Sequence, residues 1–524
     1  MSSGTTTAAA RARDFVGTLG VNTHLEYTDG LYVNYQQVIT DLNYLGINQV
    51  RDGTPNPSGG IPYQDYETSI AAATAAGIKF DFITGPGEAL STTMSQIDAI
   101  AKAHPGSVLA VEGPNEINNF PVSYNGMSGD PAAQAYQKAL YAAVKSDPNL
   151  TGTSVYYYTG YGMVDPTPLN PATTPGYADY DNQHPYPQNG VPPSQAISRS
   201  IDLSNENPPT GPAVYTEAGY STTGIFNGPN ADVQAKYTLD MLFDDAAAGI
   251  SKTYLYQLLD AYAPGSPQGD DGFGLFDYTG AAKPAATAIH NLTTILSDAG
   301  SNATSFTPGT LGYSVSGLPS TGSSYLMEKS SGAFDIVVWN EPQIWNSSTK
   351  TEITASSTPV TVNLGQTFGT VQVFDPMQGT SPVQTLSNAS SAQVALTDHP
   401  LIIQASSPAT VSGDTLTLHL SEDAYSGDAQ FVAKIDGTQI AGPTAVTTLH
   451  SSGNSEAFTY TGNWGPGLHD LEIDFVNDAY GGSPSLDRNL YVNQVSYDGA
   501  NALPSNGVLS MFGNGAAQIA IGHG

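Results

Sequence analysis

The fold is decided by the stretch Val111-Glu112-Gly113-Pro114-Asn115-Glu116. A short apolar run precedes it and is typical of a buried strand, and the Gly-Pro pair ends that strand. Asn115 and Glu116 are therefore expected at the carboxyl end of a strand, where barrel enzymes keep their chemistry. A second stretch, Ala213–Tyr220, also runs apolar residues into a carboxylate, Glu217, with a glycine close behind. The interpretation depends on whether Glu116 and Glu217 face each other.

On both sides of this stretch, short apolar runs alternate with alanine-rich helical segments from Phe15 to about Leu296. The predicted strands are Phe15–Leu25, Ile47–Asp52, Ile78–Thr84, Val108–Glu112, Ser154–Tyr158, Tyr180–His184, Ala213–Glu217 and Lys252–Gln257. The predicted helices are Tyr35–Leu45, Tyr66–Ala76, Met94–Ala103, Ala132–Ser146, Ser194–Ser204 and Ala231–Ala248. Eight such repeats in roughly 280 residues fit an α/β fold of the (β/α)8 TIM barrel type. A doubly wound open sheet is the alternative, but it would not need this many units.

The sequence changes character after Ser297, where Ser, Thr, Gly and alternating apolar residues predominate. Short alternating strands separated by turn residues predict an antiparallel β-sandwich. Ala405-Ser406-Ser407-Pro408 is interpreted as a linker, and a second β-sandwich, jelly-roll-like, is expected beyond it. The predicted domains are therefore a catalytic barrel over 1–297, a β-sandwich over 298–407 and a β-rich module over 408–524 that ends in a Gly/Ala-rich tail.

Charge and composition restrict the partners of the chain. Its 524 residues include 15 Lys+Arg and 47 Asp+Glu, a net charge of −32, which argues against nucleic acid or an anionic membrane as partner. No apolar run is long enough to insert into a membrane. The chain has no cysteine, and its nine histidines show no zinc-protease spacing, so thiol and zinc catalysis are not expected.

A pair of carboxylates at one rim of a barrel predicts glycoside hydrolysis. That reaction needs one carboxyl group that protonates the leaving oxygen and a second that attacks the anomeric carbon or activates water. Their pKa values must differ, because one group is protonated while the other is ionised. Asn115 adds a neutral donor for a sugar hydroxyl. Taken singly, Glu112, Glu116 and Glu217 read as ordinary acids at strand ends, but their matching positions favour catalysis.

Asn115-Glu116 after the fourth strand and Glu217 at the end of the seventh resemble clan A of the retaining glycoside hydrolases. The barrel with its trailing β-sandwich is most similar to family thirty-nine of that clan. The resemblance implies that Glu116 is the acid/base and Glu217 the nucleophile. It also implies carboxyl groups about 5–5.5 Å apart and retention of the anomeric configuration.

Further residues near the predicted rim are candidates for substrate binding. Arg51 is expected to keep Glu217 ionised through its charge, and His184 or Tyr186 to hydrogen-bond Glu217. The full set of substrate-binding candidates is Asn115, His24, Glu26, Arg51, His184, Tyr186, Tyr256 and Gln257. For Arg51, His24 and His184 the competing interpretation is a structural hydrogen bond under the rim. Clan members commonly carry a tryptophan after the eighth strand, where this chain has Tyr256 and Gln257 instead.

The last module carries clustered Asp and Asn oxygens, the ligands that calcium requires. The run around Asp478 is followed by Asp487-Arg488-Asn489, and this pairing resembles the calcium-dependent xylan-binding modules of carbohydrate-binding families thirty-six and sixty. The resemblance implies calcium as cofactor, with Asp478, Asp487 and Asn489 as its first ligand candidates. Weaker candidates are Glu422, Asp423 and Asp428. A solvated acidic loop is the competing interpretation.

These features together predict a retaining glycoside hydrolase that acts on a polysaccharide or oligosaccharide, with no cofactor for catalysis. Xylan-type plant polymers come first because of the module, and microbial exopolysaccharides follow. A non-catalytic carbohydrate-binding or adhesion protein and a transglycosylase are the alternatives. The first residues lack the apolar segment of a signal peptide. The low charge with many Gly, Pro and Tyr resembles secreted bacterial polysaccharide enzymes, so a secreted or periplasmic protein without its signal peptide is expected.

Overall fold

A computed structural model describes residues 6–27, 29–54, 63–85, 89–162, 175–204, 212–267, 272–406, 414–462, 464, 468–503 and 507–522. The chain divides into two compact units, Met1–Ser407 and Pro408–Gly524. The predicted boundary at 297/298 lies inside the first unit and stays a prediction. The predicted boundary at 407/408 falls on residues 407–413, which lie outside the described residues. No helix of the described chain has the length and apolar character needed to cross a bilayer.

The first unit contains eight parallel strands that alternate with helices. The strands are β1 Leu19–Asn22, β2 Gln49–Gly53, β3 Lys79–Ile83, β4 Val108–Glu112, β5 Ser154–Tyr156, β6 Asp181–Gln183, β7 Ala213–Ala218 and β8 Thr253–Leu255. The helices are α1 Ala12–Val16, α2 Tyr35–Leu45, α3 Tyr63–Ala75, α4 Leu90–Ala103, α5 Asp130–Ser146, α6 Pro193–Ser204, α7 Ala231–Ala248 and α8 Pro284–Ile295. Short 3-10 helices are Leu31–Val33, Pro148–Leu150, Gln188–Gly190 and Ile225–Asn227, and Ser123–Tyr124 pairs with Met127–Ser128.

The eight strands form one sheet in the order β6-β7-β8-β1-β2-β3-β4-β5. An isolated parallel bridge between Tyr156 and Tyr180 joins its two ends. The predicted (β/α)8 barrel is thereby confirmed. The strand predicted over Phe15–Leu25 is too long, because Phe15 lies in α1, where its ring stacks on Phe243 with the ring centres 4.8 Å apart.

Local signals set the ends of α2 and α7. The side chain of Asn34 accepts from the backbone N–H of Gln37 at the start of α2, and Asn230 accepts from Val233 N at the start of α7. Each helix ends at a glycine in the left-handed region, where a residue without Cβ is least strained. Both helices have the bounds that the sequence predicted.

The rest of the first unit is a seven-stranded sheet. Its strands, in spatial order, are Ser314–Ser316, Thr358–Phe374, Leu401–Ser406, Phe334–Asn340, Gly322–Glu328 and Ala10–Arg11, with Gln384–Leu396 paired to Thr358–Phe374. Thr7–Ala8 pairs with Thr310–Leu311, and Trp345–Asn346 pairs with Thr351–Glu352. Apart from the parallel strand Ala10–Arg11, this sheet is antiparallel, as predicted.

Two details of this sheet differ from the sequence prediction. Ala10–Arg11 pair with this sheet and Thr7–Ala8 pair with Thr310–Leu311, although the predicted barrel domain begins at residue 1. Ala405 and Ser406 belong to a strand and not to a linker, because Ala405 pairs with Phe334 and is fully buried. The barrel and this sheet also share a core, to which Val337 and Trp339 contribute.

The second unit is built of two antiparallel sheets around its own core. One sheet has the order Glu456–Gly462, Asp414–Asp423, Asp487–Tyr497 and Ala479–Tyr480, with Ala500–Asn501 and Leu509–Met511 also paired to Asp487–Tyr497. The other has the order Thr438–Val446, Ala429–Ile435, Leu468–Phe475 and Gly515–Gly522, and a 3-10 helix spans His450–Ser452. The segment predicted as a Gly/Ala-rich tail contains a strand, Gly515–Gly522, whose Ile519 and Ile521 side chains enter the core.

Candidate functional site

The turn after β4 brings Glu116 to the carboxyl end of the barrel. A Cβ on Gly113 would lie 1.9 Å from Gln137 Oε1 and 3.0 Å from the backbone nitrogen of Tyr158, so the chain passes close to α5 and to the segment after β5. Glu116 itself has a positive φ of 41°, a conformation that costs about 1–3 kcal/mol and is concentrated at functional sites. Its backbone N–H donates to Thr159 Oγ1 at 3.0 Å, which anchors the turn to the segment after β5.

Glu116 and Glu217 face each other across the barrel mouth. One carboxylate oxygen of each, together with a ring nitrogen of His184, all lie within 4.8 Å of one another. All three residues are buried, and Glu217 lies near the end of β7. The two stretches that decided the sequence interpretation therefore converge.

Arg51 in β2 holds this site together from beneath. Its guanidinium binds Glu112 through both carboxylate oxygens, at 2.8 Å each, and donates to Asn22 Oδ1 at 3.0 Å, Asn115 Oδ1 at 2.9 Å and Glu217 Oε1 at 2.5 Å. Every guanidinium N–H is thereby used. Burial lowers the pKa of Arg51, but the charges of Glu112 and Glu217 raise it well above its ordinary value. Arg51 is a permanent cation at the floor of the site.

Glu217 is stabilised as a carboxylate. Tyr186 donates its hydroxyl to Glu217 Oε2 at 2.7 Å, while Arg51 donates to Oε1. Burial raises the pKa of Glu217, but the charges of His184 and Arg51 and the hydrogen bond from Tyr186 hold it below its ordinary value. Burial and the charge of Glu217 raise the pKa of Tyr186 well above its usual range, so its hydroxyl stays a donor.

The tautomer of His184 follows from Thr216. Thr216 Oγ1 lies 3.1 Å from Glu112 Oε1 and 3.0 Å from Asn182 Oδ1, and both of these oxygens only accept. Its single hydroxyl proton therefore points to one of them. The remaining neighbour, His184 Nε2 at 3.1 Å, donates to Thr216 Oγ1. His184 Nε2 consequently carries a proton in both charge states of the ring.

The other nitrogen of His184 binds Glu116. His184 Nδ1 lies 3.2 Å from Glu116 Oε1 and 3.6 Å from Glu217 Oε2. Since Nε2 is already protonated, a hydrogen bond between Nδ1 and Glu116 needs one further proton, which sits either on the carboxyl group or on the ring. Asn119 Nδ2 is 3.4 Å from the second Glu116 oxygen. Glu116 and His184 therefore share one proton beside the ionised Glu217.

A cavity of about 470 Å³ opens onto the two carboxylates. Its volume falls within the range of about 300–1,000 Å³ that is usual for small-molecule pockets. Asn115 lines it, and because Asn115 Oδ1 accepts from Arg51, its amide N–H groups are directed to the cavity as donors. Three partly exposed aromatic rings also line it: Phe120 (58% exposed), Phe226 (42%) and Tyr161 (41%). Sugar rings present apolar faces to such surfaces.

The remaining predicted residues lie around this cavity in different ways. Tyr256 lines it, and Gln257 lies beneath, where its Oε1 accepts from Tyr32 OH at 2.9 Å. His24 packs edge-on against Tyr256, and its Nδ1 lies 3.3 Å from Glu26 Oε1. Burial lowers the pKa of His24 to about 4, so its ring is neutral. His24 and Glu26 do not line the 470 Å³ cavity itself.

Sequence reasoning missed the polar groups that support the two glutamates. Glu112 entered only as one of several strand-end acids, and Asn22, Thr216 and Thr159 did not enter at all. Each lies on or beside a barrel strand, and Asn22 pairs in register with Arg51. The sequence does show these polar residues within or next to apolar strands. It does not show which side chain each of them contacts, because that depends on the register between strands.

The trio Glu116, His184 and Glu217 also has the spacing of a metal site, and in the described part of the chain it is the one such group. Both oxygens of Glu217, however, already accept from Arg51 and Tyr186. A second cation beside the Arg51 guanidinium would be repelled. The arrangement favours proton transfer and nucleophilic attack over metal binding.

Asp487 and Asn489 lie on one strand of the second unit, between two neighbouring strands. Asn489 pairs in register with Asp423, and Tyr480 pairs with Asp487 on the other neighbouring strand. Asp478 Oδ1 and Asn489 Oδ1 are both buried with no hydrogen-bond partner. Buried oxygens without a hydrogen-bond partner are unfavourable unless something binds them. A hard cation such as calcium binds oxygen ligands of this kind. The residues fit calcium.

The weaker calcium candidates have other partners. Glu422 is buried and its Oε2 accepts from the backbone N–H of Ala429 at 2.5 Å. Asp423 Oδ2 accepts from Tyr491 OH at 2.6 Å. Burial raises the pKa of Glu422, and the charge of Asp428 adds to that rise. Glu422 thus has a structural role in closing the loop before Ala429.

Comparison with known proteins finds a family match for the last module. Residues 415–510 match the family CBM60, described as a Ca-dependent carbohydrate-binding module, xylan-binding. The predicted resemblance of the last module is confirmed. No curated protein sequence matches the chain.

Solved structures share the fold. A family 39 glycoside hydrolase from the gut symbiont Bacteroides cellulosilyticus WH2 is 15% identical, with 75% of this chain and 82% of that chain covered and a TM-score of 0.50. A glucosidase from Croceicoccus marinus is 11% identical, with 70% and 90% covered and a TM-score of 0.50. A monomeric β-xylosidase from Caulobacter crescentus CB15 is 15% identical, with 76% and 98% covered and a TM-score of 0.49. The predicted likeness to family thirty-nine is confirmed for the fold.

Proposed function

We propose that the chain is a retaining glycoside hydrolase that cleaves β-glycosidic bonds of a xylan-like polysaccharide. Glu116 is the acid/base and Glu217 the nucleophile. One observation carries the proposal: two carboxyl groups with oxygens within 4.8 Å of each other meet opposite environments in one cavity. Retaining enzymes place these groups about 5–5.5 Å apart, whereas inverting enzymes need about 6.5–9.5 Å for a water molecule between them.

The first step forms a covalent glycosyl-enzyme. A carboxylate oxygen of Glu217 bonds to the anomeric carbon, and the bond from that carbon to the leaving oxygen breaks. Glu116 transfers its proton to the leaving oxygen, which departs as an alcohol. Arg51 and Tyr186 keep Glu217 ionised until it attacks. Asn115, which lies beside both groups, donates to a hydroxyl of the sugar bound at the cleavage point.

The second step releases the sugar with its configuration retained. Glu116, now a carboxylate, takes a proton from water, and the water oxygen bonds to the anomeric carbon. The ester bond to Glu217 breaks, and its electron pair returns to the carboxylate. Arg51 and Tyr186 receive the returning negative charge with hydrogen bonds already in place, which requires no rearrangement of the site.

The other rim residues recognise the glycone in this proposal. Tyr256 lines the cavity and is placed to contact the sugar bound next to Glu217, and His24 packs behind it. Gln257 supports this wall from beneath through Tyr32.

The module supports the choice of polymer. Its match to a xylan-binding family favours xylan-type chains, and microbial exopolysaccharide is the second choice. Asp478, Asp487 and Asn489 hold calcium, which supplies a coordination point for sugar hydroxyls when bound. A binding module raises the local concentration of polymer at the enzyme. Such a substrate lies outside the cell, so we propose a secreted or periplasmic protein.

Proton NMR of the anomeric signals during turnover tests the proposal. The full chain acts on xylans, galactans and microbial polysaccharides with calcium present, beside Glu116→Ala and Glu217→Ala. We expect early release of the retained anomer, lost in both variants. Release of the inverted anomer would refute double displacement. Intact binding of a glycan without turnover would favour a carbohydrate-binding protein, and transfer to an added acceptor sugar as the main product would identify a transglycosylase.

A further inference from the structure

A second cavity lies at the opposite end of the barrel from the carboxylate pair. Its volume is about 740 Å³. Gln49 and Lys79, the first residues of β2 and β3, line it together with Lys252, which directly precedes β8. The glutamates lie at the carboxyl ends of the strands, so the two cavities are separated by the packed interior of the barrel.

Cations collect in this cavity although the protein is strongly acidic. Lys+Arg number 15 against 47 Asp+Glu, yet Arg13, Lys79 and Lys252 all line the one cavity. None of the three forms an ion pair with a carboxylate among the described residues. Three cations therefore line the cavity against one carboxylate, Asp298, so its lining carries a net positive charge.

Lys252 is held in place by neutral groups. Its Nζ donates to the backbone oxygen of Gly17 at 2.5 Å and to Gln49 Oε1 at 2.6 Å. An ammonium group has three N–H donors, so one is left over for another acceptor. Burial and then the nearby charge of Lys79 lower the pKa of Lys252 to about 8. An anion between the two lysines would relieve both effects.

The rest of the lining suits an oxyanion. Asn43 and Asn48 add amide groups, and the hydroxyl-bearing Thr294 lies beside them. The single carboxylate among the lining residues, Asp298, accepts hydrogen bonds from Ser330. His290 also lines the cavity, and its Nδ1 donates to Tyr44 O at 2.6 Å.

We infer that this basal cavity binds a small oxyanion, a carboxylate or a phosphate, between Lys79, Lys252 and Arg13. Two sources supply that chemistry: the carboxylate of a uronic acid unit on a polysaccharide, or a free inorganic anion. The volume admits either one, including a whole sugar ring. A purely structural role for Lys252 explains its bonds to Gly17 and Gln49, but it does not explain why Arg13 and Lys79 converge on the same space.

Calorimetric titration of the full chain tests the inference, with inorganic phosphate, sodium glucuronate and neutral glucose as separate probes. The test variant is Arg13→Gln with Lys79→Gln, because both side chains are exposed. The control variant, Lys102→Gln with Lys350→Gln, removes the same charge elsewhere. We expect at least one anion to bind, and binding to weaken about tenfold in the test variant, since each partly exposed charge changes affinity about threefold.

The outcomes separate the two sources of the anion. Tighter binding of glucuronate than of phosphate assigns the cavity to an acidic sugar, and the reverse order assigns it to a free anion. In either case the NMR titration of the Lys252 side chain should move to higher pH when the anion is present. Equal binding in the test and control variants, binding of glucose as tight as glucuronate, or no binding of either anion would overturn the inference.

Discussion

The role of Tyr186 gives the sharpest test of how Glu217 is kept ionised. Tyr186→Phe removes the hydroxyl that donates to Glu217 Oε2 at 2.7 Å and leaves the ring in place against Tyr256 and Phe273. A hydrogen bond to a charged group contributes about 1.5–3 kcal/mol. Glu217 is buried, so solvent screening does not reduce that value much.

The expected effect is a shift in the pH profile. One pKa unit corresponds to about 1.36 kcal/mol, so the loss of this hydrogen bond raises the pKa of Glu217 by about 1–2 units. The native surroundings hold that pKa below its ordinary value, and activity needs the carboxylate. The acid limb of kcat/KM therefore moves to higher pH, and activity is lost on the acidic side first.

The assay is the pH dependence of kcat/KM on a soluble aryl xyloside or xylo-oligosaccharide. Tyr220→Phe is the matched control, because the Tyr220 hydroxyl donates to the backbone oxygen of Val191 at 2.8 Å and touches neither glutamate. It should leave the acid limb in place. A shift below about 0.3 unit in Tyr186→Phe, or an equal shift in both variants, would refute the assignment of Glu217 as the ionised group.

Three further predictions follow from the same contacts. Arg51→Lys keeps the positive charge but loses the bidentate contact with Glu112. We expect the free energy of unfolding to fall by about 1–3 kcal/mol and kcat to be lower at all pH values. Unchanged thermal unfolding would contradict this prediction. Phe120→Ala removes an exposed ring from the cavity, so KM for oligosaccharides should rise about tenfold with kcat little changed, whereas equal KM would exclude stacking there. Chelation of calcium should lower the melting temperature of the second unit and abolish xylan binding. Asp478→Asn should also abolish binding but leave the turnover of small substrates normal. Xylan binding that survives chelation would refute a calcium site in this unit.

The main features of the barrel could be predicted from the sequence because they depend on local patterns. Val108–Glu112 has the predicted bounds, since an apolar run ended by Gly-Pro has few other conformations. The strand predicted from Phe15 was too long because the apolar residues of α1 and β1 follow each other closely, and their pattern along the chain does not show where the helix ends and the strand begins. Gly515–Gly522 was missed because small residues carry little strand signal, and its pairing with Leu468–Phe475 supplies the missing stabilisation.

Only part of the site was predictable from the sequence. Glu116 and Glu217 were predicted because each comes at the end of an apolar run, and Arg51 because it is a charged residue in the predicted second strand. Which acid Arg51 binds most tightly is set by tertiary geometry: it contacts Glu112 by two hydrogen bonds and Glu217 by one. Neither the barrel register nor the reach of a buried side chain is encoded in spacing along the chain. The residues that support a site are therefore harder to predict from the sequence than its reacting groups.

The charges of the site explain why so many buried ionisable groups are tolerated. Glu112 neutralises Arg51, and Glu217 then leaves one net negative charge beside a protonated Glu116–His184 pair. In the proposed reaction, Glu217 loses its negative charge when it bonds to the anomeric carbon, and in the same step Glu116 gives up its proton and gains a negative charge. The net charge of the site is therefore the same before and after this step. Because moving net charge into a buried site is expensive, a reaction that only relocates one negative charge between two prepared positions avoids that cost. Without Glu112, the full charge of Arg51 would act on Glu217 and make it a weaker nucleophile.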